Sequence, residues 1–152
     1  MAPTIAGNVT PGGAPDPAVV RRLLTTPATW AVVGLSTHVT RTAYGVARWV
    51  HDALGQRIIP VHPLAEEVWG EPGYRTLTQI PDGTVVAVVN CFVNSQRVGA
   101  VVDEAIANKE RLGIGALWLQ LGVIDQDAAQ RAIDAGLDVV MDTCPMIEYP
   151  KL

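Results

Sequence analysis

The sequence predicts an α/β fold, in which strands and helices alternate along a single domain. Five short runs of apolar residues have the composition of strands that are buried on both faces. Longer segments lie between these runs, and their apolar residues recur at helical spacing. Because crossovers between parallel strands are right-handed, this alternation predicts a parallel sheet with helices on both faces.

Each predicted element has a local sequence signal. The predicted strands are Trp30–Leu35, Arg57–Val61, Thr84–Cys91, Ala116–Leu121 and Leu137–Met141. The predicted helices are Pro17 to about Leu24, Arg41–Leu54, Asn94 to about Leu112 and Asp125–Ala135, with one helical turn at Thr76–Ile80. Asp16 before Pro17 is a typical helix start. Gly55, Gly113 and Gly136 follow the other three helices, where a left-handed residue is favoured.

The expected strand order is 3-2-1-4-5, which is the order of a Rossmann-type sheet. The ligand crevice is then expected between the first and fourth strands, where the order reverses. The domain is predicted to span residues 17–152. Residues 1–16 are rich in Pro, Gly, Ala and Thr and are predicted to form a flexible tail. They lack the basic segment and the apolar run of a signal peptide.

Composition excludes several classes of function. A net charge of -4 and an isoelectric point near 5.2 argue against nucleic acid or an anionic membrane as the main partner. Cys91 and Cys144 lie far apart, so neither a disulfide framework nor a zinc site is expected. The histidines have no metal-ligand spacing, and no apolar segment reaches the length of a membrane span. These features predict a cytoplasmic protein without a metal site.

The end of the first strand has the pattern of a phosphate site. Gly34 lies near the end of the apolar strand, small hydroxyl residues come next, and a helix begins shortly afterwards. Free N–H groups at a helix start attract an anion, and glycine lets the ligand approach the main chain. Ser36, Thr37 and Thr42 are expected to serve as helix caps or as phosphate ligands. Arg41 is the expected basic contact, because a cation at a helix start is unfavourable unless an anion lies nearby.

The common nucleotide motifs are absent. Ser36 and Val39 stand where the later glycines of a dinucleotide fingerprint would be, and no P-loop is present. His62 and Pro63 follow the second strand, where NAD requires a carboxylate and NADP an arginine. His62 is expected to face the crevice and to hydrogen-bond a ribose or a phosphate. Pro63 and Phe92 are expected to form an apolar slot for adenine. The alternative is that Phe92 is simply part of the core.

Several blocks of the sequence together resemble one family. They are Val33–Ser36 with Arg41, Ile59–Pro63, Tyr74–Pro81, Phe92–Ser95, Leu117–Ile124 and Val139–Glu148. In these blocks the chain resembles the stand-alone bacterial CoA-binding domain, which is related to the amino-terminal part of the succinyl-CoA synthetase α subunit. The resemblance implies a Rossmann-type domain that binds coenzyme A, with its phosphates over the Gly34–Ser36 turn.

Further residues are candidates because they follow the third and fourth strands. Asn94 or Ser95 is expected to cap a helix, and Asn94 is expected to line the site. Gln120 either hydrogen-bonds the ligand or closes the end of the sheet, and Gly122 leaves space for a pantetheine arm.

The chain departs from the family at three positions on the rim of the site. Leu64, Val93 and Thr143 stand where the family usually has a lysine or an arginine. Arg41 is therefore expected to be the only basic residue on the crevice loops.

The expected function is non-catalytic binding of coenzyme A or an acyl-CoA through the loops at the carboxyl ends of the strands. The ligand is a small nucleotide, and a protein partner is possible but unidentified. Ligase chemistry is not expected, because in the related synthetases that machinery lies outside this domain. Two alternatives stay open. One is an enzyme that processes a CoA thioester with Cys144 as nucleophile and His62 as base. The other is a regulatory or protein-interaction module with a degenerate nucleotide site.

Overall fold

The structure, a computed structural model, describes residues 15–152 and contains a five-stranded parallel sheet. Its strands are β1 (Thr29–Val33), β2 (Arg57–Val61), β3 (Val88–Cys91), β4 (Ala116–Leu119) and β5 (Asp138–Val140). Apart from the first residues of β1, β2 and β5, every strand residue is buried, as expected for a sheet that is covered on both faces. The predicted fold class is confirmed.

The strand order is β2-β1-β3-β4-β5 and differs from the predicted 3-2-1-4-5. β3 lies between β1 and β4, since Ala31 pairs with Val89 and Val89 pairs with Leu117. Pro60 explains why β2 lies at the edge, because proline has no N–H for an inner ladder. The Pro60 carbonyl accepts a hydrogen bond from the Tyr74 N–H at 3.1 Å on the outer side of β2. The order therefore reverses between β1 and β3, rather than between β1 and β4.

Helices cover both faces of the sheet. They are α1 (Pro17–Thr25), α2 (Thr42–Leu54), α3 (Ser95–Ala107), α4 (Lys109–Leu112), α5 (Gln126–Asp134) and α6 (Pro145–Glu148), with 3₁₀ turns at Leu77–Gln79 and Tyr149–Lys151. The buried side chains of α1 and α2 pack with Trp30 and Trp118 on one face. Those of α3 and α5 pack with Val89 and Leu117 on the other. β1 and β3 are thus followed by helices on opposite faces.

The predicted helix starts are confirmed by their caps. Asp16, Asn94 and Asp125 each accept a hydrogen bond from a first-turn backbone N–H, at 2.9, 3.0 and 2.9 Å. Gly55 and Gly113 adopt the left-handed conformation after α2 and α4, as expected for residues that end helices. Local side-chain chemistry therefore determines where these helices begin and end.

The ends of some elements differ from the predicted ones. β1 ends at Val33, because Gly34 has a φ of 105°, which interrupts the extended backbone. The segments Thr84–Ala87 and Gln120–Leu121 lie outside the strands. The predicted helix from Asn94 to Leu112 is divided into α3 and α4 at Asn108.

The predicted tail lies largely outside the described residues, which begin at Pro15. Asp16, which the prediction assigned to the tail, caps α1 and belongs to the folded domain. Within residues 15–152, no helix has both the length and the apolar character needed to cross a membrane.

Candidate functional site

A cleft of about 1130 Å³ opens at the carboxyl ends of β1, β2 and β3. It lies at the point where the strand order reverses, which is the usual ligand site of open α/β sheets. Its volume exceeds the range of about 300–1,000 Å³ that holds drug-sized ligands, so a large nucleotide has room there. The predicted residues that line it are Gly34, Ser36, Arg41, Thr42, His62, Pro63, Phe92 and Asn94.

Gly34 brings the first and third strand ends into close contact. Its N–H donates to the Val61 carbonyl at 2.7 Å, and its φ of 105° is a conformation that side chains rarely adopt. A Cβ at this position would lie 3.1 Å from the Phe92 Cβ. Phe92 lines the cleft and also packs against the core. Because Gly34 has no side chain, its main chain lines the cleft directly.

The N-terminus of α2 opens toward the cleft. Arg41 occupies the N-cap position, and no side chain in the described part of the chain caps this helix. The Ser36 Oγ accepts a hydrogen bond from the His38 N–H at 3.2 Å, which shapes the loop before the helix. Uncapped N–H groups and the helix dipole together favour an anion at this position.

Three arginines line the cleft, so the expectation of Arg41 as the only basic residue is wrong. Arg75 and Arg97 are the other two. Ion pairs with carboxylates engage Arg22, Arg48, Arg57, Arg111 and Arg131. The guanidinium groups of Arg41, Arg75 and Arg97 form no ion pair with any residue in the range 15–152. Three unpaired guanidinium groups around one cleft give it a positive charge that is complementary to an anion.

The two additional arginines have a clear structural origin. Arg97 lies in the first turn of α3, which reaches the cleft because β3 pairs directly with β1. Arg75 follows Tyr74, whose backbone pairs with the outer edge of β2 at Val61. The helical spacing of Arg97, Val101 and Glu104 indicates a shared face of α3, but only the correct strand order directs that face toward the cleft.

Glu104 is the carboxylate of this cleft, and its oxygens are already engaged. They accept hydrogen bonds from the Leu77 N–H at 3.1 Å and from the Thr78 hydroxyl at 2.9 Å. Glu104 thereby fastens the 3₁₀ turn to α3. Because its acceptors are used within the protein, it leaves the three arginines free for an external anion.

His62 has one ring nitrogen available to a ligand. Its backbone N–H donates to the Tyr74 carbonyl at 2.9 Å, which continues the edge of β2. Its Nδ1 is 3.1 Å from the Leu64 backbone nitrogen and accepts that N–H. In the neutral ring the proton then lies on Nε2, which is a donor suited to a ribose or a phosphate oxygen.

Three of the predicted residues do not line the cleft. The Thr37 N–H and hydroxyl donate to Glu66 at 3.3 and 3.0 Å. Gln120 is buried at the end of β4, and the Gly122 N–H donates to Asp142 at 2.7 Å. β4 is one strand removed from the junction of β1 and β3, so its loop lies beside the cleft rather than in it.

Both thiols are buried away from the cleft lining. Burial raises the pKa of the Cys91 thiol to about 12. Cys144 packs in the core cluster of Trp30 and Trp118, whereas His62 lines the cleft. Among residues 15–152, no group of three His, Cys, Asp or Glu side chains is placed to hold a metal ion.

A smaller cavity of about 290 Å³ lies at the other end of the sheet. Its lining is largely apolar, and its charged residues, Arg22 and Asp138, form an ion pair with each other. This cavity therefore offers no unpaired charge to a nucleotide.

Comparisons with known proteins found a family and several relatives whose similarity covers most of this chain. Residues 28–150 match a family described as a CoA binding domain. The Bacillus subtilis (strain 168) protein YneT is 32% identical over 135 residues, which cover 89% of this chain and 95% of that protein. A hypothetical protein from Pyrococcus horikoshii OT3 is 31% identical, with a TM-score of 0.79 over 90% of this chain and 92% of its own.

A larger enzyme shares the fold. The dinucleotide-forming acetyl-coenzyme A synthetase 1 of Ca. Korarchaeum cryptofilum matches 79% of this chain and 27% of its own length. The TM-score is 0.61 and the identity 22%, so this likeness concerns the fold alone.

Proposed function

Since this chain belongs to the CoA-binding-domain family, we propose that it binds coenzyme A, free or acylated, in the cleft between β1 and β3 without catalysing a reaction. The observation that carries the proposal is the set of unpaired guanidinium groups beside an uncapped helix start. Coenzyme A bears a pyrophosphate and a 3′-phosphate, and arginine is the side chain best suited to hold such groups.

The residues of the cleft fit the parts of this ligand. The first turn of α2 offers main-chain N–H groups to the pyrophosphate, Gly34 lets the ligand approach the main chain, and Arg41 adds charge. His62 and Pro63, after β2, offer a hydrogen-bond donor and an apolar surface to the adenosine portion. When bound, coenzyme A would supply its thiol as the carrier of an acyl group.

The proposal that binding is non-catalytic rests on where the reactive side chains lie. The Cys144 side chain is enclosed by core residues, and the Glu104 carboxylate is engaged in fastening the 3₁₀ turn. A catalytic thiol requires an imidazole within hydrogen-bond reach. His62, which is the ring that the alternative needs, uses its Nδ1 to accept the Leu64 N–H instead.

Isothermal titration calorimetry with coenzyme A and acetyl-CoA tests the proposal. Arg41→Ala is expected to weaken binding by about 1.5–3 kcal/mol, or about 10- to 150-fold, because it removes a charged hydrogen bond to phosphate. Arg21→Ala is the matched control, since Arg21 is an exposed arginine on α1 that does not line the cleft. Equal affinities of the Arg41→Ala and wild-type proteins would remove Arg41 from the site.

Binding and hydrolysis assays with the same protein distinguish the proposed function from the two alternative functions. Failure of coenzyme A, acetyl-CoA, NAD, NADP, ATP and AMP to bind would favour a protein-interaction module. Hydrolysis of acetyl-CoA that is lost in Cys144→Ser would favour an enzyme. Either result would replace the proposed function.

A further inference from the structure

The three arginines of the cleft divide into two groups on opposite faces of the sheet. Arg41 precedes α2, which packs on the face that contains Trp30. Arg97 lies on α3, which packs on the face that contains Val89. α2 and α3 thus pack on opposite faces of the sheet, so Arg41 and Arg97 approach the cleft from opposite sides.

Arg75 belongs with Arg97. The chain after Arg75 is fastened to α3 by Glu104, which accepts hydrogen bonds from the Leu77 N–H and the Thr78 hydroxyl at 3.1 and 2.9 Å. The Arg75 N–H also donates to the Gln79 side chain at 3.0 Å, which orders the start of this turn. Arg75 and Arg97 therefore line the same side of the cleft.

Arg97 occupies a position that an isolated helix disfavours. It is the third residue of α3, where the positive end of the helix dipole repels a cation. Asn94 caps this turn through the Arg97 N–H at 3.0 Å, but the amide side chain of Asn94 carries no negative charge. Within residues 15–152 no carboxylate pairs with the Arg97 guanidinium, so an anion from outside would relieve the repulsion.

We infer that Arg75 and Arg97 form a second anion subsite, which recognises the 3′-phosphate of coenzyme A while Arg41 and the start of α2 hold the pyrophosphate. This inference rests on the proposed function and deepens it. It requires a ligand with two phosphate groups separated by a ribose, so dephospho-CoA, which lacks the 3′-phosphate, is the discriminating probe.

The test measures the dissociation constants of coenzyme A and dephospho-CoA for four proteins by calorimetry. Wild-type protein binds coenzyme A about 10-fold or more tightly than dephospho-CoA, which is the effect of a charged hydrogen bond. Arg97→Ala and Arg75→Ala remove most of that preference and leave the affinity for dephospho-CoA nearly unchanged. Arg41→Ala weakens both ligands by the same factor.

The outcomes distinguish the inference from the proposed function. If wild-type protein binds both ligands equally, or if Arg97→Ala weakens both by the same factor, the second subsite is refuted while coenzyme A binding stands. If neither ligand binds to wild-type protein, the proposed function itself fails. Arg97→Lys tests for a merely structural role, because it keeps the charge and restores part of the preference only if the side chain contacts the phosphate. Thermal denaturation of each variant checks that it is folded.

Discussion

Gly34→Ala is expected to destabilise the protein because of the conformation and the surroundings of this one residue. Gly34 has a φ of 105°, well outside the conformations that residues with a Cβ readily adopt. The added methyl group would lie 3.1 Å from the Phe92 Cβ and 3.5 Å from its carbonyl carbon. Both the backbone and the packing of the strand ends therefore oppose a side chain here.

The size of the effect follows from three contributions. Strained backbone of this kind costs about 1–3 kcal/mol. The contact with Phe92 adds to this cost, because the neighbour must move by a few tenths of an ångström. Alanine restricts the unfolded chain more than glycine, which offsets about 0.4–1 kcal/mol. The free energy of unfolding is therefore expected to fall by about 1–2 kcal/mol.

Urea denaturation followed by circular dichroism measures this change. Gly45→Ala is the matched control, because Gly45 lies within α2 and an added Cβ meets no atom within 4 Å. It is expected to stabilise the protein by about 0.5–1 kcal/mol, as helix propensity requires. The same glycine-to-alanine substitution is thus expected to change the free energy of unfolding in opposite directions at the two sites. A Gly34→Ala protein as stable as wild type would refute the assigned conformation of this turn.

Two further predictions concern stability. Burial raises the pKa of the Cys91 thiol from its ordinary value of 9.0 to about 12. Since the unfolded chain loses this proton first, the thiol's contribution to stability is complete below about pH 9 and is lost toward pH 12. Urea titrations should show a shallower alkaline decline for Cys91→Ala than for wild type, and equal slopes would contradict this. Asn90 is fully buried, and its side-chain amide has no hydrogen-bond partner within residues 15–152. Asn90→Val should raise the free energy of unfolding by about 1–3 kcal/mol, whereas a loss would reveal a partner.

Local structure could be predicted from the sequence because its causes are local. The side chains of Asp16, Asn94 and Asp125 cap helices by accepting hydrogen bonds from backbone N–H groups two or three residues further along the chain. A polar residue before a segment with helical apolar spacing therefore predicts a helix start directly. The position of Gly34 at a strand end could also be predicted. Its φ of 105° could not be predicted, and this conformation ends β1 earlier than expected.

The sequence contains a signal for the order of the strands in Pro60. Pro60 has no N–H, so a strand that contains it is best placed at an edge, whereas the predicted order places that strand between two others. The error in strand order also made part of the predicted site wrong. Gln120 and Gly122 were expected beside the first strand, while Arg75 and Arg97 were missed because only the pairing of β1 with β3 brings α3 to the cleft.

The acidic net charge of -4 and the positive cleft are compatible because the charges are distributed unevenly. Outside the cleft, five arginines are paired with carboxylates, so their charges are largely neutralised where they lie. Arg41, Arg75 and Arg97 have no such partners in the described part of the chain, and Glu104 has its acceptors engaged. We therefore expect the cleft to attract a small polyanion, and the acidic exterior to repel an extended polyanion such as nucleic acid. The net charge follows from composition alone, but only the fold concentrates the unpaired positive charge at one place.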